Sequence, residues 1–379
     1  MLKNFQQKNL NSEGKIGYLQ DKMKQKGEIG LVTWLGGPNF GTVLQSYALF
    51  TCIRKLGYRV TVIRRETFIY GIKLALGLKR RYPDSVSARK AEKLRKEEMS
   101  VKTFITKTGH RLFSRNLDAF VCGSDQMWNT RVAFDPDSFL AFAGRKTRIS
   151  YAPSIGAEDF EPSTKEEVRK YLMDFNSISV REETGRRAVA ALTGRTDVKV
   201  VLDPVFLLGK DRWKEFASKA DNDIKGKYLL CYLLRDRPDY DRIVKEAAEH
   251  FGTESTVIIA SHENPGLSLE GATIIRDGGP RDFVDLIIRA TAVVTDSFHG
   301  TAFSIIFHSR PVVLKRFDDN DGYSQNSRLT DLLSTMGMTG CLYENNWRDP
   351  IDWENVDRRL EKENSLSSNF LKKALEDVG

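Results

Sequence analysis

The sequence lacks the features that assign the simplest function classes. No apolar run approaches the ~20 residues that cross a bilayer, so we expect no membrane-spanning segment. The 379 residues include only four cysteines, far apart and at neither zinc nor disulfide-framework spacing, which favours a reduced, cytoplasmic protein. The patterns HExxH, CxxC and GxGxxG are missing, so the sequence predicts neither a metal site nor a dinucleotide cofactor.

Charge is present in surplus, but the surplus is local. The chain has 59 Lys and Arg against 51 Asp and Glu, a net charge of +8. Residues 73–115 alone hold 13 basic and 4 acidic side chains, a net charge of +9. Mixed charges at i,i+4 spacing predict an exposed helix in this segment. It is either a solvated insertion or a docking site for an anionic membrane face or polyanion, and its few aromatics disfavour nucleic acid.

Short apolar runs alternate with helical patterns along most of the chain. A run at 28–35, a helical pattern from Phe40 to Gly57 and a second run at 58–63 predict a βαβ unit. Further strand-like runs lie at 118–122, 148–152, 177–180, 198–203, 227–234, 255–260, 292–296 and 311–314. The alternation predicts the α/β class, with parallel sheets covered on both faces.

The number of strands exceeds one typical sheet, so we divide the chain into two doubly wound, Rossmann-like domains. The predicted domains are 28–220, with residues 73–115 as a basic insertion, and 221–349. Residues 350–379 are predicted to form a helix that packs back across the junction. The polar segment 1–27 lacks the apolar stretch of a secretory signal and is interpreted as a leader.

Polar residues follow several predicted strands, where open α/β sheets bind ligands. The turn 36–41 precedes the first helix and either presents N–H groups to an anion or sugar hydroxyl or is simply a tight turn. Ser124 or Asp125 either caps a short helix or belongs to a site with Gln126. Asn39, Asp125 and Gln126 are candidate ligand-binding residues at these turns.

Two later strand ends carry charged side chains. Arg181 suits a phosphate or carboxylate, although an ion pair with Glu182 or Glu183 accounts for it equally well. Asp203, before Pro204, is either functional or satisfies nearby backbone donors.

The segment Ala292–Phe307 carries the strongest signal, because it sets a histidine at the start of an apolar helix. Asp296 and Ser297 end the strand, and Gly300 permits a close turn before the helix. His299 is thereby placed at a helix N-terminus, where bound anions are favoured. Four further histidines are interpreted as structural: His110, His250, His262 and His308.

Together these segments resemble the polysaccharide pyruvyl transferase family. They occur in family order from about residue 28 to 335, and they read IGLVTWLGGPNFGTVLQSYALFTCIRKLGYRVTVI, FVCGSDQMWN, ISYAPSIG, SISVREETG, VVLDPVFLL, VVTDSFHGTAFSIIFHSRPVVL and NSRLTDLL. The resemblance implies a fold like the B-type glycosyltransferases, with the active site between the domains. It also implies that phosphoenolpyruvate gives its enolpyruvyl carbons to two hydroxyls of a sugar, forming a cyclic ketal and releasing phosphate.

The resemblance also transfers functional positions: Asp125, Arg181, Asp203, His299 and Arg328. Many members have Arg-Leu-His where this chain has Ser297-Phe298-His299. The missing cation could come from Arg328, or from Lys315 with Arg316.

We therefore predict roles for these residues. His299 is the acid or a phosphate contact, Asp125 or Asp203 is the base, and phosphoenolpyruvate binds to Arg181, His299, Arg328 and Ser297. Phosphoenolpyruvate is a substrate, and no bound cofactor is expected. The acceptor is a unit of a capsule, exopolysaccharide or cell-wall glycan or of its lipid-linked precursor, placing the protein in the cytoplasm or at the inner membrane face.

Two other functions stay open. The same fold supports a nucleotide-sugar glycosyltransferase, because fold does not fix function. The second is a non-catalytic scaffold for envelope-polymer assembly, which the basic segment would hold to a membrane or a polyanion.

Overall fold

The computed structural model describes residues 26–35, 39–66, 85–260, 264, 266–318 and 324–378. Nearly all of the predicted leader 1–27 lies outside these residues. So do the glycine turn at 36–38 and the first part of the basic segment. Within the described ranges, no helix is both long enough and apolar enough to cross a bilayer.

Seven parallel strands form the sheet of the first lobe, in the order β3-β2-β1-β4-β5-β6-β7. In chain order they are β1 Glu28–Val32, β2 Arg59–Arg65, β3 Val101–Phe104, β4 Ala119–Cys122, β5 Thr147–Ser150, β6 Ser177–Val180 and β7 Lys199–Val200. The strand order reverses between β1 and β4, which are neighbours with Val32 opposite Cys122. At such a switch point the loops after the two strands diverge and leave a crevice.

Helices cover both faces of this sheet: α1 Phe40–Lys55, α2 Val86–Glu98, α3 Lys107–Ser114, α4 Lys165–Met173 and α5 Glu183–Thr193. Helix α1 is buried on nearly all sides because it lies between the two lobes. The ring of Phe40 lies 5.7 Å from that of Tyr232 and 5.3 Å from that of Phe283, both in the second lobe. An all-round apolar helix is expected where both sides are packed.

The second lobe repeats the topology with five parallel strands in the order β10-β9-β8-β11-β12. They are β8 Tyr228–Tyr232, β9 Ser255–Ile259, β10 Thr273–Ile275, β11 Ala292–Thr295 and β12 Arg310–Val313. Its helices are α6 Lys210–Ala217, α7 Tyr240–Phe251, α8 Pro280–Arg289, α9 Phe298–Phe307 and α10 Ser327–Met336. Two parallel, doubly wound sheets confirm the predicted α/β class.

The described part of the basic segment packs on the rest of the fold along one side, and its interpretation as a solvated insertion stays a prediction. Residues 101–104 form the edge strand β3, and α2 buries Ala88, Ala91 and Leu94. The Nζ atom of Lys90 donates to Asp282 Oδ2 of the second lobe at 2.9 Å. Ala88, Ala91 and Leu94 are spaced three residues apart and form a narrow buried stripe on α2. The charged residues between them make this apolar face hard to recognise in the sequence. Contact of this segment with a membrane stays a prediction.

The last helix, α11 Trp353–Glu376, contacts both lobes. The backbone N–H of Leu202 donates to Ser367 Oγ at 2.8 Å, and the hydroxyl of Tyr58 donates to the carbonyl of Leu375 at 2.7 Å. His308, at the end of α9, lies 2.8 Å from Asp357.

Helix α6 precedes residue 220 yet packs on the second lobe, since the Trp213 ring lies 4.9 Å from Phe303 in α9. The division of the chain at residue 220 stays a prediction.

Candidate functional site

A cleft of about 670 Å³ opens between the lobes, beyond the carboxyl ends of the central strands. The first lobe lines it with Trp34, Asn39, Thr42, Asp125, Gln126, Asn129 and Val132. The second lobe lines it with Leu234, Arg235, Ser297, Phe298, His299, Arg316, Phe317, Gln325 and Arg328. The two walls differ in charge: the first carries one carboxylate among neutral groups, and the second carries three guanidinium groups and an imidazole.

The carboxylate of the first wall is held by the N-terminus of α1. Asn39 caps this helix, with its Oδ1 accepting from the N–H of Thr42 at 3.2 Å. The hydroxyl of Thr42 donates to Asp125 Oδ2 at 2.9 Å. Asp125 has a φ of 68°, a left-handed conformation that aspartate tolerates better than most residues. Its side chain is 11% exposed, so it meets the cleft in a fixed orientation.

The imidazole of the second wall sits in the first turn of α9. Ser297 caps this helix, accepting from the N–H of Gly300 at 3.3 Å, and no acidic residue occupies the first turn. The positive end of the helix therefore faces the cleft. The ring of His299 packs directly on Gly41 of α1, where an added Cβ would overlap the imidazole. Glycine at position 41 thus lets the two lobes meet at His299.

A buried charge cluster lies behind His299. Asp203 has a fully buried side chain, and its Oδ2 accepts from Arg181 Nη1 at 2.8 Å and from Ser124 Oγ at 3.0 Å. The Nε2 atom of His299 lies 3.6 Å from the same oxygen. Burial alone would raise the pKa of Asp203, but His299 and Arg181 hold it well below its ordinary value.

The guanidinium of Arg181 is surrounded by carboxylates. Its Nε lies 3.2 Å from Glu182 and its Nη2 3.8 Å from Asp125, and its Cζ lies 4.1 Å from the centre of the Phe298 ring. Burial acts to lower the pKa of Arg181, but Glu182, Asp203 and Asp125 raise it overall. The local ion pair that the sequence left open is therefore present, together with a longer-range one.

Arg328, on the second wall, lies in surroundings that disfavour its charged form. Burial, together with the nearby Arg181 and Arg316, lowers the pKa of Arg328 to about 9. Its Nη2 donates to Gln325 Oε1 at 2.7 Å. The guanidinium of Arg235 lies 4.2 Å from the centre of the Phe317 ring. A bound anion would stabilise the charged form of such a guanidinium group.

Asp296 fixes the loops that carry two of these arginines. Its Oδ1 accepts from the N–H of Leu234 at 2.8 Å, and its Oδ2 accepts from the N–H of Arg235 at 3.2 Å. Arg316 donates to the Asp296 carbonyl at 3.3 Å. The cationic wall is thus preorganised by a buried carboxylate that does not line the cleft.

The structure brings the predicted site residues together in two layers. Those that line the cleft are Asn39, Asp125, Gln126, Ser297, His299 and Arg328. Arg181 and Asp203 lie directly behind them and are buried. Asp203 also accepts from the N–H of Val205 at 3.1 Å, as the structural interpretation of this residue predicts.

The sequence patterns did not predict three residues that line the cleft: Arg235, Thr42 and Gln325. Arg235 directly follows the apolar run 227–234, so the strand-end rule that found Arg181 could have found it. Thr42 and Gln325 carry no such signal. In the described ranges, no group of three or more His, Cys, Asp or Glu side chains could hold a metal ion.

One protein family matches most of the chain. Residues 39–316 match the model of the family described as polysaccharide pyruvyl transferase. No curated protein sequence matches the chain.

Solved structures are similar to the chain at low identity. Arabidopsis thaliana UGT89C1 is 10% identical with a TM-score of 0.53, covering 93% of this chain and 100% of its own. The UDP-GlcNAc 2-epimerase from Neisseria meningitidis, solved with UDP-GlcNAc, is 11% identical with a TM-score of 0.47 and covers 89% and 99% of the two chains. The likeness to UGT89C1 confirms a fold of the B-type glycosyltransferase kind and, at this identity, the fold alone.

Proposed function

Because this chain belongs to the polysaccharide pyruvyl transferase family, we propose that it is a ketal-forming pyruvyltransferase with phosphoenolpyruvate as donor and a sugar diol as acceptor. The observation that carries the proposal is the unlike pair of cleft walls. Three arginines and His299 at a helix N-terminus face a wall of neutral polar groups with one carboxylate. The acceptor is a unit of a capsule, exopolysaccharide or cell-wall glycan, or of its lipid-linked precursor.

The donor fits the cationic wall. Phosphoenolpyruvate carries a phosphate and a carboxylate, and both are bound by guanidinium groups and by free N–H groups at helix N-termini. Arg235, Arg316 and Arg328 supply the guanidinium groups, and the first turn of α9 after Ser297 supplies the N–H groups. Binding brings at least two negative charges to a wall that carries surplus positive charge.

The reaction is redox neutral and needs one acid and one base. A proton adds to the methylene carbon of the donor, two C–O bonds form at the adjacent carbon, and the C–O bond to phosphate breaks. The two acceptor hydroxyls lose two protons in total. One proton is balanced by the proton that the new methyl group gains, and the other is released on the phosphate. A positioned acid lowers the barrier to carbon protonation, and fixed cations stabilise the departing phosphate.

We assign the acid to His299. It lines the cleft in the first turn of α9, where it can reach a bound donor. Asp203, 3.6 Å away and fully buried, acts as a positioning residue that orients the imidazole and pairs with Arg181.

We assign the base to Asp125, since its carboxylate reaches the cleft while that of Asp203 does not. Thr42 fixes one of its oxygens, and the other lies 3.8 Å from Arg181. Asn39 and Gln126 lie on the same wall and are placed to hold acceptor hydroxyls.

The test is a transfer assay with the full chain, phosphoenolpyruvate and methyl glycosides that carry a free 4,6-diol. We expect phosphate release that depends on the acceptor and a product with a pyruvate ketal detected by mass spectrometry. His299→Ala and Asp125→Asn should lower turnover by about 100-fold or more. The exposed His250→Ala and Asp241→Asn are matched controls with unchanged turnover.

Two results would contradict the proposal. Thermal stabilisation by a uridine nucleotide and none by phosphoenolpyruvate would favour a glycosyltransferase. Salt-sensitive vesicle binding without turnover of any donor would favour a scaffold.

A further inference from the structure

The first wall of the cleft has an apolar rim that the proposed donor does not use. Trp34 follows β1 and is 38% exposed, and Val132, in the loop after β4, is 62% exposed. Both line the cleft. Of the other tryptophans, three are buried and Trp353 is half-buried. Two exposed apolar side chains that line the same polar cleft form a surface that a ligand can cover.

The rim residues lie beside the proposed base. Val32 and Cys122 are paired neighbours in the sheet, and the loops to Trp34 and to Asp125 leave the sheet from these two positions. Trp34, Asp125 and Val132 therefore belong to one wall.

Asn129 adds an unused acceptor on the same wall. It is 4% exposed and lines the cleft, and its Nδ2 donates to Gln126 Oε1 at 2.7 Å. Its Oδ1 is buried and has no hydrogen-bond partner in the part of the chain that is described. A buried oxygen left without a donor costs free energy, and a ligand hydroxyl would satisfy it.

A pyranoside ring matches this combination of groups. It presents a face of C–H groups, which packs on an indole, and an edge of hydroxyls, which donate to amide and carboxylate oxygens. The wall carries one charge, the carboxylate of Asp125, and this repels an anionic ring.

We infer that the acceptor is an uncharged pyranoside whose C–H face stacks on Trp34 beside Val132, with one hydroxyl donating to Asn129 Oδ1. The inference rests on the proposed function and names its acceptor class. The donor then lies on the cationic wall opposite, and the Gln126 Nε2 to Gln325 Oε1 contact of 2.9 Å joins the two walls.

The test measures acceptor kinetics and tryptophan emission with the full chain. The probes are the methyl pyranosides of galactose, glucose, mannose and N-acetylmannosamine, with methyl galactoside 3-sulfate, which keeps the 4,6-diol, as the anionic comparison. Trp34→Ala should raise the acceptor KM about threefold to tenfold and leave the KM for phosphoenolpyruvate unchanged. Trp34→Phe keeps a stacking ring and should keep a near-normal acceptor KM.

Emission gives a readout that does not depend on turnover. A bound neutral pyranoside should change the emission of the wild type and of the control Trp353→Phe, but not that of Trp34→Phe. Asn129→Leu should raise the acceptor KM without altering stabilisation by phosphoenolpyruvate.

Three results would overturn the inference: an acceptor KM that Trp34→Ala leaves unchanged, an emission response that persists in Trp34→Phe, or preference for methyl galactoside 3-sulfate over the neutral probes. Each of these can occur while phosphoenolpyruvate still binds and turns over. Failure of the proposed function itself would appear separately, as no stabilisation of the wild type by phosphoenolpyruvate.

Discussion

Replacing Gly41 with alanine tests how the two lobes meet at the candidate site. Gly41 lies in the first turn of α1, and an added Cβ would lie 2.7 Å from the Cβ of His299 and closer still to its ring. Contacts below 3.0 Å are essentially never seen for real Cβ atoms. The imidazole, or the lobe that carries it, therefore has to move.

The size of the effect follows from this overlap. Adding one carbon to a packed contact of this kind costs about 1–3 kcal/mol of unfolding free energy. A displacement of about 1 Å at a reacting group lowers turnover by about 100-fold. The matched control is Gly185→Ala in the first turn of α5, where the nearest atoms lie 3.6 Å from the added Cβ. This control should leave turnover unchanged and stabilise the helix by up to about 1 kcal/mol.

The assay is urea unfolding of Gly41→Ala, His299→Ala and the double variant, with turnover measured on the first. If the imidazole is the main obstacle, the destabilisation by Gly41→Ala becomes smaller in the His299→Ala background, with a coupling of about 0.5–3 kcal/mol. Part of it remains, because the Cβ of residue 299 still lies 2.7 Å from the added Cβ. An equal loss of stability in both backgrounds would refute the reasoning, because the clash would then lie elsewhere.

Three further predictions concern buried charges. Because the pKa of Asp203 is lowered in the fold, its ionised form stabilises the protein above its unfolded pKa of about 3.9, and that contribution is lost as pH falls below this value. Asp203→Asn should be about 3 kcal/mol less stable than the wild type at pH 7. Its urea midpoint should fall less steeply than that of the wild type as the pH is lowered from about 7 to 3. Equal slopes in the two proteins would contradict this. Arg328→Met removes a buried cation whose pKa is lowered to about 9. The variant should therefore unfold with a free energy about 1 kcal/mol higher than the wild type and should lose its stabilisation by phosphoenolpyruvate. A variant less stable than the wild type would contradict this. The buried carboxylate of Asp282 accepts from the N–H groups of Gly279 at 2.8 Å and Asp221 at 2.7 Å. Asp282→Ala should therefore lower the unfolding free energy by about 2 kcal/mol, and Lys90→Ala by less than about 1 kcal/mol. Equal losses of unfolding free energy would instead assign the stabilisation to the ion pair between these two residues.

The strand-end rule accounts for most of what the sequence could predict. The run Ser177–Val180 is the observed β6, and Arg181 follows it into the site. Parallel strands bring their carboxyl ends to one edge, so the sequence alone predicts Asp125 and His299 at a crevice. Both residues line the cleft between the lobes.

The missed elements are short or polar. Strand β3 reads VKTF at a sheet edge, with its two central side chains exposed, so it lacks a continuous apolar run. The run 198–203 predicts a full strand, but only Lys199 and Val200 pair, because the chain turns at Asp203 into a 3-10 helix that begins at Pro204. Proline has no N–H for a sheet ladder.

Contacts made by lobe closure could not be read from the sequence. The approach of His299 to Asp203 and the fit of its ring on Gly41 join segments that are far apart in the chain. The sequence also left open which aspartate faces substrate. The burial of Asp203 and the exposure of Asp125 to the cleft provide the distinction that supports our assignment.

Calorimetric titration with phosphoenolpyruvate tests the central claim most directly. We expect one site per chain in the wild type, competition by inorganic phosphate, loss of binding in Arg328→Met and normal binding in Trp34→Ala. No heat with phosphoenolpyruvate, combined with saturable binding of uridine diphosphate, would contradict it.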